Sequence, residues 1–297
     1  MNRTTLITGP QVLLVLSGVA LLMAACGGPP VHRFDVAGRS YDSEHATHLS
    51  LPKPLREVSG LTAAQSGLVY AHNDEKGIVY VIDYTAPRLV ATMPLAGRLR
   101  ADLEGIATLG ARLFLVASTG TLYETRVEAG EEPLPATRHA GGLDCEVEGL
   151  TAAADGARLL AACKNLPADG TDITVYAWHP ETASYGASPA LSVPLARVQQ
   201  FLAERFPEIS VPKKIQPTGI ETTATGNLLI LAGRQHLLLE FTPEGTPVAA
   251  AALDPAVQRQ AEGIALTADG RLLVASEGDG KGEKKTAGVL SIYEPIH

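Results

Sequence analysis

The chain has 297 residues, of which 45 % are apolar, 19 % charged and only 5 % aromatic, and it contains 29 glycines and 20 prolines. This composition is typical of a globular protein made of many short strands and tight turns, and it argues against a helical bundle. The formal net charge of −8 argues against nucleic acid as a partner, because such binding depends on cations that neutralise phosphates. We expect a monomeric protein without a nucleic-acid partner.

The N-terminal segment has the features of a targeting signal. Arg3 is the only charge before an apolar run over residues 12–25, which is too short to span a bilayer and has the length of a signal-peptide core. The run ends in Leu-Met-Ala-Ala followed by Cys26, and this resembles the lipobox of bacterial lipoproteins, in which the cysteine becomes the acylated first residue. The resemblance predicts a signal peptide over residues 1–25, a lipid on Cys26 and a tether over residues 26–43.

The residue after the cysteine bears on the location of the protein. In the lipoprotein pattern, Gly27 favours sorting to the outer membrane rather than retention at the inner one. We therefore predict a protein of the bacterial cell envelope, attached through its N-terminal lipid to the periplasmic side of the outer membrane. A small molecule or another envelope protein is the expected partner.

The rest of the chain consists of five repeats, each centred on a glycine that follows a polar residue and precedes Leu or Ile. A second glycine follows five or seven residues later and marks a hairpin turn. An apolar strand, an alternating strand and a fourth strand come next, and four short strands repeated about every 44 residues are typical of a β-propeller blade. The central glycines are Gly60, Gly105, Gly149, Gly219 and Gly263.

The sequence therefore predicts an all-β, five-bladed propeller over residues 44–297, with blades that begin near residues 57, 102, 146, 216 and 260. The last repeat ends after its third strand, and the segment Ala46 to Leu51 resembles the fourth strand of the first repeat. We expect this N-terminal strand to complete the last blade and close the ring, since an open ring leaves unpaired edges. One short inserted helix is predicted over Leu195 to Phe206, on the face where the inner strands begin.

The repeats also resemble a known family. They end in Ala-Glu-Gly-Ile-Ala at residues 261–265 and Leu-Leu-Val-Ala-Ser-Glu at residues 272–277, and on these signatures the chain is similar to the SdiA-regulated (YjiK-like) family of bacterial envelope proteins. The resemblance implies a five-bladed propeller of undefined biochemical role, with a bound calcium and a central active site. Phytase-like esterases and gluconolactonase propellers share similar Glu-Gly repeats, and they form the enzymatic alternative. Ser59 and Thr218 stand where the repeats otherwise carry glutamate.

Two sets of polar residues are expected at the mouth of the central channel, because inner strands start, and second strands end, on one face of a propeller. Acidic residues that precede the inner strands are the candidate ligands of Ca²⁺, a hard cation that prefers oxygen: Glu57, Asp102, Glu104, Glu146, Glu148 and Glu262. Residues that differ between the blades are the candidate ligand-binding set: His72, Asn73, Asp74, Lys164, Arg234 and Glu277. Alternatively, the repeated glutamates brace neighbouring blades.

Two functional hypotheses follow. The first is a lipid-anchored envelope propeller that binds a small ligand, a cation or a partner protein at its channel face. The second is a calcium-dependent hydrolase of a lactone or phosphoester, with channel carboxylates around the metal and His72 or a metal-bound water as base. A site that is catalytic should keep several perturbed carboxyls around one open position.

A disulfide is predicted between Cys145 and Cys163. The two cysteines lie at equal distances from residue 154, next to the Ala-Asp-Gly turn at residues 154–156, so a symmetric hairpin places them opposite each other on the first two strands of the third blade. Opposed residues of an antiparallel pair are within disulfide range. An oxidising envelope compartment keeps such a bond.

Overall fold

The computed structural model describes residues 33–65, 67–86, 88–127, 133–280 and 285–296. The predicted signal peptide, the lipidation site Cys26 and the first part of the predicted tether lie outside the described residues. Within the described ranges, no helix has both the length and the apolar character needed to cross a membrane.

The described residues form six β-sheets, and five of these sheets follow the five predicted repeats. The first consists of β4 (Val58–Ala63), β5 (Leu68–Asn73), β6 (Ile78–Asp83) and β7 (Arg88–Pro94). The second consists of β8 (Leu103–Leu109), β9 (Arg112–Ala117), β10 (Leu122–Thr125) and β11 (Thr137–His139). The third consists of β12 (Glu146–Ala152), β13 (Leu159–Asn165), β14 (Ile173–His179), β15 (Ser184–Tyr185) and β16 (Leu191–Val193). The fourth consists of β17 (Gly219–Thr222), β18 (Leu228–Ala232), β19 (Leu237–Phe241) and β20 (Pro247–Ala252). The fifth consists of β21 (Ala261–Leu266), β22 (Leu272–Ser276), β23 (Val289–Tyr293) and β3 (Thr47–Ser50).

The first strands of these five sheets contact one another in a closed cycle, from β4 through β8, β12, β17 and β21 back to β4. Glycine permits the close approach, because a Cβ on Gly105 would lie 2.7 Å from the backbone nitrogen of Leu150 in the next sheet. The second strands β18 and β22 are buried along their whole length, as the apolar runs predict for strands packed between neighbouring sheets. The fold is therefore an all-β propeller.

The predicted N-terminal closure of the fifth sheet is confirmed. Strand β3 pairs antiparallel with β23, with Thr47 opposite Ile292 and Ser50 opposite Val289. A strand from the start of the described chain thus covers the edge of the sheet at its end, and no long edge is left open there.

The sixth sheet was not predicted, so the count of five taken from the repeats was one too low. It consists of β1 (Arg33–Val36), β2 (Arg39–Asp42) and β24 (Pro295–Ile296). Residues 33–42 were predicted to belong to the tether over residues 26–43, and this part of the prediction is wrong. The repeat pattern missed the sheet because its strands come from the two ends of the chain and lie outside the repeats.

The hairpin of β1 and β2 is anchored to the propeller by buried contacts. Val36 and Tyr41 are fully buried in a cluster shared with the fourth and fifth sheets. The hydroxyl of Tyr41 donates to the carbonyl of Gly270 at 2.9 Å, and the backbone N–H of Ala37 donates to the Glu240 carboxylate at 2.7 Å. The hairpin is thus part of the folded body.

The inserted helix is confirmed as α1 (Leu195–Arg205). Leu195, Val198 and Leu202 repeat at helical spacing, and all three are buried against the core of the third and fourth sheets. The N–H of Phe206 bonds to the carbonyl of Leu202 at 2.9 Å and closes the last turn just before Pro207.

The predicted disulfide between Cys145 and Cys163 is confirmed, with Cα atoms 5.8 Å apart. The expected register is not observed, because Val147 rather than Cys145 lies opposite Cys163. A bulge in the pairing of β12 with β13 shifts the strands, and Cys145 lies just before β12. The bond therefore fixes the entry of the third inner strand.

Candidate functional site

A small cavity lies at the centre of the ring of inner strands. Its walls include the backbone of the five repeat glycines and the side chains of Ser59, Glu104 and Glu262. The cavity measures about 10 Å³, which is room for about one water molecule. The centre of the propeller is therefore closed by backbone, and any larger ligand has to bind at the end of the channel where these side chains project.

A buried ion pair lies at this end of the channel. The Lys164 ammonium contacts the carboxylate of Glu148, and only 12 % and 4 % of the two side chains are exposed. Burial works against the charged ammonium, but the hydrogen bond and attraction of Glu148 outweigh it and raise the pKa of Lys164. Burial also raises the pKa of Glu148, while the bond from Lys164 acts in the opposite direction.

Two further glutamates beside this pair favour their protonated forms. Burial, followed by the charges of Glu148 and Asp102, raises the pKa of Glu104 to about 9, although Ser59 Oγ donates to its carboxylate at 3.0 Å. Burial and the charges of Glu148 and Glu277 raise the pKa of Glu262 to about 8. Both carboxyls are therefore mainly neutral at pH 7, because burial disfavours the charged form and neighbouring acids add to this effect.

The cluster extends to the ends of the second strands. Burial and the charge of Asp74 raise the pKa of Glu277 to about 7, while Arg56 acts to lower it, and Gln260 Nε2 donates to Glu277 at 2.9 Å. Burial and the charge of Glu75 raise the pKa of Asp74. Its Oδ1 atom is buried without a hydrogen-bond partner among the described residues, which is an unfavourable state for a polar atom.

We refer to these acidic side chains as the carboxyl cluster: Asp74, Asp102, Glu104, Glu146, Glu148, Glu262 and Glu277. Five members belong to the set predicted to hold a metal, and two belong to the set predicted to bind a ligand. Lys164, also predicted, and Arg56 are the basic side chains that act on the cluster. The structure therefore brings together much of what the repeats placed at the channel mouth.

Glu57 and Arg234 are exceptions. The Glu57 carboxylate forms an ion pair with the neighbouring Arg56, and 45 % of its side chain is exposed. Arg234 is exposed on the short 3-10 turn Gly233–Gln235 that follows β18. Neither side chain takes part in the electrostatic contacts of the described carboxyl cluster.

The side chains of His72 and Asn73 are buried and contact neighbouring parts of the fold. The His72 ring is fully buried against Gly60, and burial lowers its pKa to about 4. Its Nδ1 atom lies 3.0 Å from the carbonyl oxygen of Asn73, and Nε2 is without a partner among the described residues. Asn73 donates to the Pro54 carbonyl at 3.3 Å and accepts from the Lys76 N–H at 3.1 Å. Asn73 therefore shapes the turn.

Lys214 belongs to a polar network beside the cluster and was missed in the sequence. The Asn165 side chain donates to Glu146 and accepts from Lys214 Nζ at 3.1 Å and from Gln216 Nε2 at 2.8 Å. Lys214 follows the inserted helix and precedes the fourth inner strand. Its position directly before the repeat signature was the signal that could have found it. The network ties the long insertion to the carboxyl cluster.

The described carboxyls do not form a ready metal site. No group of three or more His, Cys, Asp or Glu side chains within the described ranges is placed to hold one metal ion. The arrangement instead concentrates acidic oxygens, several of them protonated, around a single buried ammonium. Chemically it can accept hydrogen bonds, exchange protons near neutral pH and attract a positively charged group.

Comparisons with known proteins support the fold. No family model and no curated protein sequence matches the chain. Among solved structures, a glutaminyl cyclase of Myxococcus xanthus is similar with a TM-score of 0.58 and 15 % identity, over 85 % of this chain and 97 % of that one. A protein of unknown function from Bacteroides thetaiotaomicron has a TM-score of 0.50 and 12 % identity, over 77 % of this chain and 55 % of that one. A PQQ-bound aldose sugar dehydrogenase from Streptomyces coelicolor has a TM-score of 0.49 and 11 % identity, over 84 % of this chain and 98 % of that one.

These likenesses define a class by fold alone. At 15 % identity and below, shared architecture carries no residue roles from one protein to another. The third likeness is too weak to add to the argument. The chain is thus a β-propeller similar in fold to a glutaminyl cyclase.

Proposed function

We propose that this protein is a lipid-anchored propeller of the bacterial envelope that binds a small organic ammonium ion at the carboxyl cluster. The observation that carries the proposal is the excess of acid, since Lys164 and Arg56 are the described cations that act on these carboxyls. An incoming cation favours ionisation of Glu104, Glu148, Glu262 and Glu277, whose pKa values are raised by burial and, to a smaller extent, by neighbouring acids. Ionisation of these carboxyls is therefore favourable when a cation binds, although it is unfavourable without one.

The geometry favours an ammonium ion over a metal. Calcium requires six to eight oxygens at about 2.3–2.6 Å from one point, and the described carboxyls are not placed in that way. An ammonium group carries several N–H donors that reach separate acceptors. Ca²⁺, which the family resemblance implies, is therefore the competing ligand in the same experiment.

The envelope location rests on two features of the chain. The segment before Cys26 resembles a lipobox, and a disulfide joins Cys145 to Cys163. Disulfides persist in oxidising compartments such as the bacterial periplasm. An SdiA-regulated envelope propeller of undefined role is consistent with both features, and we propose that membership. Labelling with radioactive palmitate, in wild type and in Cys26→Ala, tests the lipid directly.

Calorimetric titration at pH 6 and pH 8 tests the ligand class. The probes are methylammonium, putrescine, a peptide with N-terminal glutamine, and CaCl₂. We expect an amine to bind with an affinity that rises with pH, because binding displaces protons from Glu104 and Glu262. Glu104→Gln should weaken the binding at pH 8 by about tenfold or more, which corresponds to about 1.4 kcal/mol.

Glu244→Gln is the control, because it is the same substitution at an exposed glutamate of the turn between β19 and β20, outside the cluster. It should leave the affinity unchanged. Equal affinity of wild type and Glu104→Gln would contradict the proposed site. Binding of Ca²⁺ alone would replace the ammonium ion by a metal.

The hydrolase remains the second candidate because of one observation. Glu104 stays protonated near neutral pH, as a general acid must. Turnover of a lactone or an aryl phosphate, with and without Ca²⁺, tests this candidate. The likeness to a glutaminyl cyclase makes the glutamine-terminated peptide a useful additional substrate. Loss of turnover in Glu104→Gln, with binding retained, would support a catalytic role.

A further inference from the structure

A second cavity lies away from the channel, between the N-terminal hairpin and the fourth and fifth sheets. Its volume of about 400 Å³ is within the range of small-molecule sites, about 300–1,000 Å³. The apolar part of the wall includes Phe34, Leu253, Val257 and Tyr293. We call it the hairpin cavity, because Phe34 belongs to β1 of the unpredicted sheet.

The wall contains a buried polar group that is not satisfied. Gln258 is 1 % exposed, and its Nε2 donates to Ser291 Oγ at 2.8 Å and to the Tyr293 hydroxyl at 2.6 Å. The Oε1 atom of the same amide is buried without a partner among the described residues. A buried acceptor without a donor is destabilising, so a ligand that supplies an N–H group is favoured here.

The charge of the cavity is also one-sided. Asp254 lines it, and its described lining includes no lysine or arginine. His48, the other titratable group that faces the cavity beside Tyr293, has its Nδ1 atom 3.0 Å from Ser291 Oγ. The negative charge of Asp254 reaches the Tyr293 ring, because it adds to burial in raising the pKa of that hydroxyl to about 12.

Aromatic side chains complete the environment. The rings of Phe34 and Tyr293 meet edge to face, with centroids 5.5 Å apart. Aromatic rings attract a nearby cation and cover its apolar body. Acceptors, carboxylates and aromatic carbon thus occur together in one concave surface of suitable size.

We propose that the hairpin cavity binds an amphiphilic organic cation, with an aromatic or aliphatic body and a primary ammonium head. The body packs against Phe34, Val257 and Tyr293. The head lies near the Asp254 carboxylate and donates to Gln258 Oε1. This site is separate from the carboxyl cluster, and its ligand is larger and more apolar.

The test uses phenethylammonium as the probe, with the neutral 2-phenylethanol and the anionic phenylacetate as controls of equal shape. Affinities are measured by titration calorimetry on the full folded chain. We expect the cation to bind at least about tenfold more tightly than the alcohol, and the anion to bind most weakly. Equal affinity for all three would overturn the proposal, as would absence of binding.

Two variants locate the site. Val257→Trp fills the cavity from a half-buried position and should abolish binding of the cation and the alcohol. Asp254→Asn keeps the side-chain oxygen that accepts from the Ala256 N–H at 2.8 Å but removes the charge, so it should bring the two affinities within about threefold. Unchanged thermal unfolding of both variants verifies their fold.

Glu104→Gln is the control that separates this site from the channel. It should leave unchanged the phenethylammonium binding that Val257→Trp abolishes, and any additional binding that is lost in Glu104→Gln belongs to the carboxyl cluster. Binding that is lost in Glu104→Gln and retained in Val257→Trp would assign the ligand to the channel and overturn the hairpin site. Binding retained in all three variants would overturn it as well.

Discussion

Carboxyls occur in two contrasting settings inside this molecule. At the contact between the hairpin and the fourth sheet, Glu240 is 4 % exposed and its two oxygens accept from Ala37 N and Asn227 Nδ2, both at 2.7 Å. In the carboxyl cluster, Glu104 accepts one bond from Ser59 and otherwise faces other acids. A carboxylate whose oxygens are all satisfied stabilises the fold, whereas crowded carboxyls retain unused capacity for a cation.

Removing the largest buried side chain of the hairpin should have the greatest effect on stability. Tyr41 is fully buried, stacks on Phe34 with ring centroids 5.5 Å apart and bonds to the Gly270 carbonyl. Tyr41→Ala should lower the free energy of unfolding by about 3–5 kcal/mol, as measured by urea denaturation. Val90→Ala, at a side chain 48 % exposed, should change it by less than about 0.5 kcal/mol. A loss below about 1 kcal/mol for Tyr41→Ala would mean that the hairpin is dispensable.

The same substitution in the two settings should have different consequences. Glu240→Gln turns one acceptor into a donor that faces Ala37 N–H or the Asn227 amide, and we expect a loss of about 1–3 kcal/mol. Glu104→Gln mimics the protonated carboxyl that already prevails at pH 7, so stability should be unchanged or slightly higher. Urea denaturation of both variants at pH 7 makes the comparison. Equal losses would show that Glu104 is a structural acceptor like Glu240.

The sequence predicts the ring of five sheets but not the N-terminal hairpin, and the reason is physical. Each repeat carries its own turn glycine and apolar strand, so local signals such as Gly105 predict the sheets, and the likeness of residues 46–51 to a fourth strand of the repeat predicts the closure by β3. Strand β2 instead pairs with β24, at the other end of the chain, and no local pattern encodes that partner. The hairpin is therefore specified by tertiary burial of residues such as Tyr41, which propensity does not reveal.

In the candidate site too, the sequence predicts the positions that the repeat defines and misses the contacts that depend on single neighbouring side chains. The position before the repeat glycine predicted that Glu104, Glu148 and Glu262 converge, because backbone geometry repeats from sheet to sheet. It could not predict that the Glu57 carboxylate forms an ion pair with Arg56, because that contact depends on the adjacent side chain. The network around Asn165 depends on the long insertion, whose path no repeat defines.

The pH dependence of stability sharpens the contrast further. The pKa values of Glu104, Glu262 and Glu277 are raised to about 9, 8 and 7 in the folded protein. Between pH 5.5 and 9 the native state therefore binds more protons than the unfolded state, and stability falls as pH rises. Carboxyls with lowered pKa values, such as Asp83 and Asp269, act below this window, because their stabilising effect is lost only as pH falls through the acidic range.

We expect the melting temperature to decrease from pH 5.5 to pH 9, and each kcal/mol of lost stability corresponds to about 2–4 °C for a chain of this size. The double variant Glu104→Gln, Glu262→Gln removes two of the groups that titrate in this window and should flatten the slope. Asp83→Asn is the control, since the pKa of Asp83 is lowered by its bond from Thr85, and it should leave the slope over this window intact. A melting temperature that rises with pH in the wild type would mean that the cluster is already ionised and neutralised in the folded state. The excess of acid on which cation binding depends would then be absent.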